Sequence, residues 1–343
     1  MKVLSVSPFR FLKKRIPAYN ILIVLAGAAL IMGWKEHSLS GNEPAIVKGP
    51  PPSSCPESMI FTRLGGIGLV HPLLMVDLND ESEKLSPLKN DLSWFIKQKE
   101  QTGEITDASV YLRSFKDGSW FTVNSGDMYN PGSMMKLPVM ITYLKEAEKD
   151  PGILNKELVY QPRVKIPLQT FNGKAIEAGK KYKVKELLHY MIVESDNNAT
   201  YLLNENVNLN TFQKLFSDLD LSVPDTHDAN YAMTASDYSK FMRILYSSSY
   251  LNIESSEFAL VLLTQSTFKN GMLQQLPSDL KVAHKFGENF KNNLHQLHES
   301  GIVYIENHPY LLTVMTKGND VNVLPAVISE LSKKVYDAMS AGQ

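Results

Sequence analysis

Three short polar elements of the sequence combine residue types that could carry out acyl transfer. The first is the pair Ser133 and Lys136 in "YNPGSMMKLPV". A serine where a helix begins can attack a carbonyl group while backbone N–H groups hold the oxyanion, and a buried, neutral lysine one turn later can accept its proton. The spacing is a weak signal alone, because Ser86 and Lys89 share it at a predicted helix start with Ser86 as N-cap. A simple N-cap is the alternative for Ser133 too.

The second and third elements are Ser195-Asp196-Asn197 and Lys285-Phe286-Gly287. The second falls where a helical pattern pauses and resumes. It fits either a helix–helix corner or a hydroxyl that relays a proton beside an amide that binds substrate. Lys285 falls in a strand pattern, where a lysine either guards a sheet edge or binds a substrate carboxylate. In the second case Gly287 would let the substrate backbone approach closely.

The periodicity of apolar residues predicts the elements that position these groups. The strand patterns "DASVYLRSF" and "SWFTVNS" precede a central block of helical patterns, and "LKVAHKFGEN", "HESGIVYIENH" and "YLLTVMTKG" follow it. A last helix is predicted at roughly 324–339. Strands on both sides of a helical block predict an α/β lobe built from both ends of the chain, an inserted all-helical lobe, and a cleft between them.

Local signals refine two of the helical patterns. "KVKELLHYMIVESDNNATYLLNENV" is predicted to break near its middle, where the Ser-Asp-Asn element lies. Thr234 and Asp237 form a capping box, which predicts that a helix begins there.

The amino-terminal sequence predicts three segments before the folded domain. Residues 1–20 are a basic leader, and residues 21–34 are an apolar run that would span about 21 Å as a helix, against roughly 30 Å for a bilayer core. We expect a tilted signal anchor with its basic end in the cytoplasm, or alternatively a cleaved signal peptide. Residues 35–70 are rich in Pro, Ser and Gly and predict a spacer, and the folded domain is predicted at 71–343.

The composition of the chain limits which kinds of binding partner and cross-link are expected. The net charge of −1 predicts no strong attraction to nucleic acid. The single cysteine, Cys55, cannot form an intrachain disulfide. His295 and His298 lie close in sequence, and we expect exposed residues in a polar turn rather than metal ligands. We expect a monomer.

The order and spacing of the three elements are a stronger signal than any one of them. Ser-Asp-Asn begins 62 residues after Ser133, and Lys-x-Gly begins 90 residues after Ser195. With the flanking "NPGSMMKLPV", "TASDYSKFMRILY" and "HESGIVYIENHPYLLTVMTKG", the chain from about residue 85 resembles the serine β-lactamase and penicillin-binding protein superfamily, and class A β-lactamases most closely. The resemblance implies an antiparallel sheet flanked by terminal helices, plus an all-helical lobe.

The resemblance also implies roles for residues. Ser133 is the acylated nucleophile, Lys136 its general base, and Ser195 the proton relay to the leaving nitrogen. The backbone N–H groups of Ser133 and Glu288 form the oxyanion hole, and no metal or organic cofactor is required. The residues implied in substrate binding are Asn197, Lys285 and Gly287.

One departure from the family pattern concerns release of the acyl group. Class A enzymes carry a glutamate in a Glu-x-x-x-Asn loop that activates the hydrolytic water. Here the segment 197–234 is shorter than the family leads us to expect, and its only glutamate, Glu205, lies in a helical pattern. Asp225 and Asp228 are the substitutes that the sequence offers.

The other departure concerns the third element. Phe286 replaces the usual Thr or Ser, and Glu288 adds a negative charge near a site for anionic substrates. Strand alternation predicts that both side chains face away from the side on which Lys285 lies.

These observations predict a serine hydrolase of class A β-lactamase type that is acylated on Ser133 by β-lactams or acyl-D-Ala-D-Ala-like substrates. The alternatives are a penicillin-binding-type D-alanyl-D-alanine peptidase and a non-catalytic domain that binds cell-wall peptide or protein. We expect a single-pass protein of the bacterial cell membrane with its catalytic domain outside, or a secreted protein if the amino-terminal segment is cleaved.

Overall fold

A computed structural model of the chain describes residues 68–72, 80–166, 169–171, 173–224 and 231–341. All of them lie in the compact unit Met59–Gln343. The predicted leader, the apolar run, nearly all of the predicted spacer, and Asp225 and Asp228 lie outside the described residues. Within the described ranges, no helix has the length and apolar character needed to cross a membrane.

A five-stranded antiparallel sheet brings the two ends of the folded domain together. Its order is β2-β1-β7-β6-β5, and β1 pairs with β7 with Val110 opposite Val314. The prediction of one lobe built from both chain ends is confirmed. The strands are β1 (Asp107–Ser114), β2 (Trp120–Val123), β5 (Val282–Lys291), β6 (Leu294–Val303) and β7 (Tyr310–Gly318).

Both faces of this sheet are buried, so apolar residues occur at successive positions of its strands. Leu312 and Val314 of β7 pack with helices α1 (Ser86–Gln101) and α8 (Leu324–Ala341) on one face. Leu311, directly before Leu312 in the strand, belongs to the core on the opposite face. The sheet is therefore flanked by the terminal helices, as predicted.

The central helices pack against the opposite face of the sheet and against each other, in one continuous apolar core. A short two-stranded ladder of β3 (Glu157–Val159) and β4 (Lys181–Lys183) lies among them. The helices are α2 (Lys136–Ala147), α3 (Val184–Val193), α4 (Asn197–Asn204), α5 (Leu209–Asp218), α6 (Ala235–Tyr246) and α7 (Ile253–Thr264).

The sequence signals for helix boundaries were right for the break between two helices and for the helix start at Thr234, and wrong for Ser86. The predicted break lies between α3 and α4. Thr234 is the N-cap of α6, as predicted, and its hydroxyl accepts the Asp237 N–H at 3.0 Å, which is one of the two bonds of a capping box. The Asp237 carboxylate accepts the Thr234 hydroxyl at 2.9 Å. Ser86 is not an N-cap: it is the first residue of α1, and Leu85 precedes it in the cap position. The reason is a short 3-10 turn, Glu83–Leu85, that runs directly into α1.

The folded unit also includes residues that the sequence assigned to the spacer. Leu69 and Val70 are buried. Their backbone N–H groups donate to Glu257 Oε2 at 2.6 and 3.1 Å. These bonds attach the segment before the domain to helix α7.

The edge strand β5 packs backbone to backbone against the turn Gly132–Met135, which leads into α2. A Cβ atom on Gly287 would lie 2.6 Å from Met134 N, closer than non-bonded atoms approach. The structure thus gives Gly287 a reason other than the predicted approach of substrate: it lets the turn that carries Ser133 lie on β5.

We expect Gly287→Ala to lower the unfolding temperature, because the added methyl group must push β5 and the turn apart. Overpacking of this kind costs about 1–3 kcal/mol. Gly126→Ala is the matched control, since nothing lies within 4 Å of the added atom there. Thermal unfolding of both variants is the measurement, and equal unfolding temperatures would contradict the tight contact at Gly287.

Candidate active site

Ser133 lies in a tight turn that continues directly into a helix. The turn is Gly132–Met135, and α2 follows from Lys136, so Ser133 and Lys136 are one turn apart on the same side. Ser133 is in the cap position of neither element, so the simple N-cap explanation is excluded. Gly132 has a φ of 51°, a left-handed conformation that favours glycine. Both side chains are buried, with 6% of Ser133 and 3% of Lys136 exposed.

Two side chains of β6 hold the loop before this turn. The Asn130 N–H donates to Gln296 Oε1 at 3.0 Å, and His298 Nε2 lies 3.0 Å from the Asn130 carbonyl oxygen. The Thr316 N–H donates to His298 Nδ1 at 3.2 Å, so the ring carries its proton on Nε2. Burial lowers the pKa of His298 to about 3, which keeps the ring neutral. The prediction that His298 is exposed in a polar turn was wrong, because β6 already includes this position and carries it inside.

The Ser195-Asp196-Asn197 element is the corner between α3 and α4. Its Asp196 is the N-cap of α4. Burial raises the pKa of Asp196, and its backbone hydrogen bonds oppose that rise. The corner is thus fixed by Asp196, and the residues on either side of it are left to contact Lys136. The Asp196 carboxylate accepts the N–H groups of Ile176, Asn198 and Ala199 at 3.0, 2.9 and 3.1 Å.

Two buried lysines converge on the Ser195 hydroxyl. Lys136 Nζ donates to Ser195 Oγ at 3.1 Å, to the Ser195 carbonyl at 2.5 Å and to Asn197 Oδ1 at 2.8 Å. Lys285 Nζ donates to Ser195 Oγ at 2.9 Å and to the Phe286 carbonyl at 3.1 Å. The fold therefore brings together residues from all three of the elements singled out in the sequence.

Burial of these two cations controls their protonation. It lowers the pKa of Lys136 to about 7, against the opposing effect of Asp196 and Glu288. Burial and the neighbouring Lys136 lower the pKa of Lys285 well below its ordinary value, and Glu299 opposes this. A neutral amine is what a general base requires. Lys285 is fully buried, which excludes the interpretation of an exposed lysine guarding the edge strand.

The side chains of Phe286 and Glu288 have different environments. Phe286 is 2% exposed and stacks on Phe268, with ring centroids 4.2 Å apart. The Glu288 carboxylate lines the cleft and accepts the backbone N–H groups of Thr170 at 2.6 Å and Phe171 at 3.3 Å. The prediction that both face away from the cleft is right for Phe286 and wrong for Glu288. β5 is an edge strand, and the Glu288 side chain binds the chain that passes beside that edge and carries these two N–H groups.

The Glu288 backbone lies directly against the turn. A Cβ atom on Gly132 would be 2.9 Å from the Glu288 carbonyl carbon and 3.3 Å from Glu288 N. This proximity suits the predicted pairing of the Ser133 and Glu288 N–H groups around an oxyanion, a role that stays a prediction.

Ser133 and Lys136 open into a cleft of about 670 Å³ with a largely apolar wall. Of the described residues that line it, Glu288 alone carries a carboxylate. Glu205 is not among them: it lies exposed beyond the end of α4 and accepts the Tyr201 hydroxyl at 2.7 Å. The apolar side chains among the described lining residues are those of Met135, Val139, Val207, Leu209, Phe212 and Pro224.

Gln169 also belongs to the site, and sequence reasoning missed it. Its Nε2 donates to Ser133 Oγ, and Ser195 Oγ donates to its Oε1 at 3.4 Å. It lies in the irregular connection between β3 and β4, where no motif or period marks a position. The sequence did contain a signal for the roles of Gln296 and His298, because polar residues within an otherwise apolar strand pattern indicate specific hydrogen bonds.

Comparison with known proteins agrees with this geometry. Residues 87–339 match the model of the Beta-lactamase enzyme family, so the chain belongs to that family. It is a β-lactamase-like serine hydrolase with the fold that the sequence predicted. A search of curated proteins found no significant match.

Solved structures show the same fold at low sequence identity. PBP-A, as a variant in an acyl-enzyme complex with penicillin G, superposes with a TM-score of 0.63 at 18% identity, covering 75% of this chain and 97% of that one. A β-lactamase from Chitinophaga pinensis DSM 2588 gives 0.62 at 20% identity, with coverage of 73% and 99%. The TLA-3 extended-spectrum β-lactamase gives 0.63 at 20% identity, with the same coverage.

We expect Lys136→Met to change how stability depends on pH. The pKa of Lys136 is about 7 in the folded protein, against an ordinary value of 10.5. Between these two pH values the unfolded chain binds more protons than the folded protein does, so the free energy of unfolding of the native protein rises with pH. Methionine fills similar space without titrating, so the variant's stability advantage is largest below about pH 7 and shrinks toward pH 10.5.

Urea unfolding across that pH range checks this. Lys97→Met, at an exposed position of α1, is the matched control and should show no such trend. A stability difference between native protein and Lys136→Met that stays constant with pH would show that Lys136 keeps an ordinary pKa.

Proposed function

We propose that this hydrolase is of the class A β-lactamase type and forms an acyl-enzyme on Ser133 with β-lactams or related acyl-D-Ala-D-Ala-like compounds. The observation that carries the proposal is Lys136, a buried amine whose pKa is about 7, one turn from Ser133 and 3.1 Å from the Ser195 hydroxyl. A nucleophilic hydroxyl, a neutral amine and a second hydroxyl are the groups that acyl transfer needs.

Acylation follows from these three groups. Ser133 Oγ attacks the carbonyl carbon while its proton passes to Lys136 Nζ, and the N–H groups of Ser133 and Glu288 stabilise the oxyanion. As the tetrahedral adduct collapses, the bond from carbonyl carbon to nitrogen breaks. The nitrogen takes the Ser195 proton, and Ser195 recovers a proton from Lys136 across their hydrogen bond.

Substrate binding uses the second lysine. A substrate carboxylate beside Lys285 would favour the charged form of that lysine. Because the charge of Lys285 disfavours a charge on Lys136 while the substrate carboxylate favours one, the two effects oppose each other, and an anionic substrate could bind without protonating Lys136. Asn197 would donate to the amide side chain of the substrate, while its Oδ1 holds Lys136.

We propose further that release of the acyl group is slow. A hydrolytic water needs a base beside the ester, and the cleft wall is largely apolar. Glu288 is the one carboxylate among the described lining residues, and both of its oxygens already accept backbone N–H groups.

The largely apolar lining of the cleft also favours the second candidate function, a penicillin-binding-type D-alanyl-D-alanine peptidase. Such an enzyme would form the same acyl-enzyme with release of D-alanine, and the acyl group would then pass to water or to the amine of a second peptide. The likeness to PBP-A, which was solved as an acyl-enzyme with penicillin G, supports this reading. The basic leader and apolar run support our proposal that the domain works outside the bacterial cell membrane.

We expect intact-protein mass spectrometry of the full-length protein with a penicillin to show a single adduct of one drug molecule. Ser133→Ala should form none, because the nucleophile is absent. The adduct should persist for hours, since the described residues of the cleft offer the ester no free carboxylate.

The outcomes separate the candidate functions. Rapid loss of the adduct with steady drug consumption would contradict slow release and establish a turning-over β-lactamase. An adduct that also forms on Ser133→Ala would place the nucleophile elsewhere. The absence of any adduct would leave the non-catalytic binding domain as the better account.

We also expect the second-order rate constant of acylation to rise with pH. It should reach half of its plateau at about pH 7, where Lys136 loses its proton. Stopped-flow measurement with a chromogenic β-lactam provides the profile, and drug hydrolysis without protein is the blank. A rate that is flat from about pH 6 to about pH 8 would exclude Lys136 as the base.

A further inference from the structure

The two positions at which the third element departs from the family pattern contact the same piece of chain. Phe286 and Glu288 both reach residues 169–171, which we call the 169–171 segment. This segment lies in the connection between β3 and β4, far from both residues in sequence. Because Phe286 and Glu288 contact the same segment, both departures from the family pattern can serve one structural role.

Glu288 holds the backbone of the segment. One carboxylate oxygen accepts the Thr170 N–H at 2.6 Å, and the other accepts the Phe171 N–H at 3.3 Å. Hydrogen bonds to an ionised carboxylate are stronger than those between neutral groups. A residue without a carboxylate at 288 could not accept both bonds in this way, and a Thr or Ser at 286 could not supply the ring described next.

An aromatic cluster holds the side chain of the segment. The Phe171 ring meets Phe268 edge to face at 5.3 Å between centroids and Phe286 at 6.5 Å. Phe268 and Phe286 stack on each other at 4.2 Å. The Phe171 side chain is therefore attached to the packed core of the sheet.

The attached segment places an amide on the nucleophile. Gln169 Nε2 donates to Ser133 Oγ, and its Oε1 accepts from Ser195 Oγ at 3.4 Å. A substrate carbonyl must come within about 3–3.5 Å of Ser133 Oγ for attack, which is the space that this carboxamide takes. Of the described contacts of Lys136 Nζ, none is with Ser133: all go to Ser195 and Asn197.

We propose that the 169–171 segment is an internal competitor for the active site, with Gln169 as its ligand group and Glu288 and Phe171 as its latch. Every substrate must displace the Gln169 carboxamide before Ser133 can attack, so the latch sets the rate of acylation. This inference rests on the proposed function for its kinetic consequence, but the latch itself is a property of the unliganded protein.

The first test uses no substrate. Hydrogen–deuterium exchange on the full-length protein should show protected Thr170 and Phe171 amides. In Glu288→Gln, which keeps the size of the side chain but removes its charge, exchange at these amides should be about tenfold faster. Glu205→Gln is the matched control, because Glu205 is exposed and outside the cleft. Unprotected amides in the native protein, or equal exchange in Glu288→Gln, would overturn the latch.

The second test measures acylation by a chromogenic β-lactam. Glu288→Gln and Phe171→Ala should each raise the second-order rate constant about tenfold, because both weaken attachment of the segment. Phe290→Ala is the matched control for the aromatic change, since Phe290 is 60% exposed, is not among the described residues that line the cleft, and has its ring tilted against His295. Gln169→Ala should raise the rate without changing exchange at Thr170 and Phe171 as much as Glu288→Gln does.

The outcomes distinguish failure of the latch from failure of the proposed function. Rates that are unchanged or lower in Glu288→Gln and Phe171→Ala, in a native protein that does acylate, would overturn only the latch. A longer-lived acyl-enzyme in Glu288→Gln at an unchanged acylation rate would make Glu288 the hydrolytic base and overturn the proposal. Loss of exchange protection in Glu288→Gln with no acylation in any variant would support the latch and reject the β-lactam function.

Discussion

The site depends on the burial of two lysines around one hydroxyl. Lys136 and Lys285 both donate to Ser195 Oγ, and both are almost completely removed from water. Desolvation and mutual repulsion make it unfavourable for both to be charged. A protonation equilibrium of Lys136 near neutrality follows, which is the property that the proposed general base needs. Opening the site to solvent would restore ordinary lysine pKa values and remove that base.

Three elements of the fold keep the lysines in place. The α3–α4 corner is fixed by the Asp196 cap, the turn before α2 is held at Asn130 by Gln296 and His298, and β5 presses against that turn at Gly287. Each is a backbone constraint, so the positions of the reactive side chains are set by the main chain. The residues that do so carry no reactive atom themselves.

The departures from the family pattern have a common structural meaning. Read as a list of site residues, Phe286 and Glu288 look like losses of a hydroxyl and of charge neutrality. In the fold they are partners of the chain's own 169–171 segment. The same negative charge that would repel an anionic substrate is engaged by two backbone N–H groups. The departures therefore hold the chain's own segment beside the cleft and leave the contacts of Lys136 and Lys285 with Ser195 in place.

The sequence by itself determined the candidate site residues of the three polar elements, the two-lobed α/β fold and most helix and strand positions, because motif spacing and apolar periodicity are local properties. Folding decided the rest. Gln169 reaches Ser133 across 36 residues, and His298 reaches Asn130 across 168. The direction of the Glu288 side chain depends on which segment passes the sheet edge, and the alternation of residues along a strand does not predict which segment that is. The lowered pKa of Lys136 arises from burial, which exists only once distant parts of the chain have packed around it.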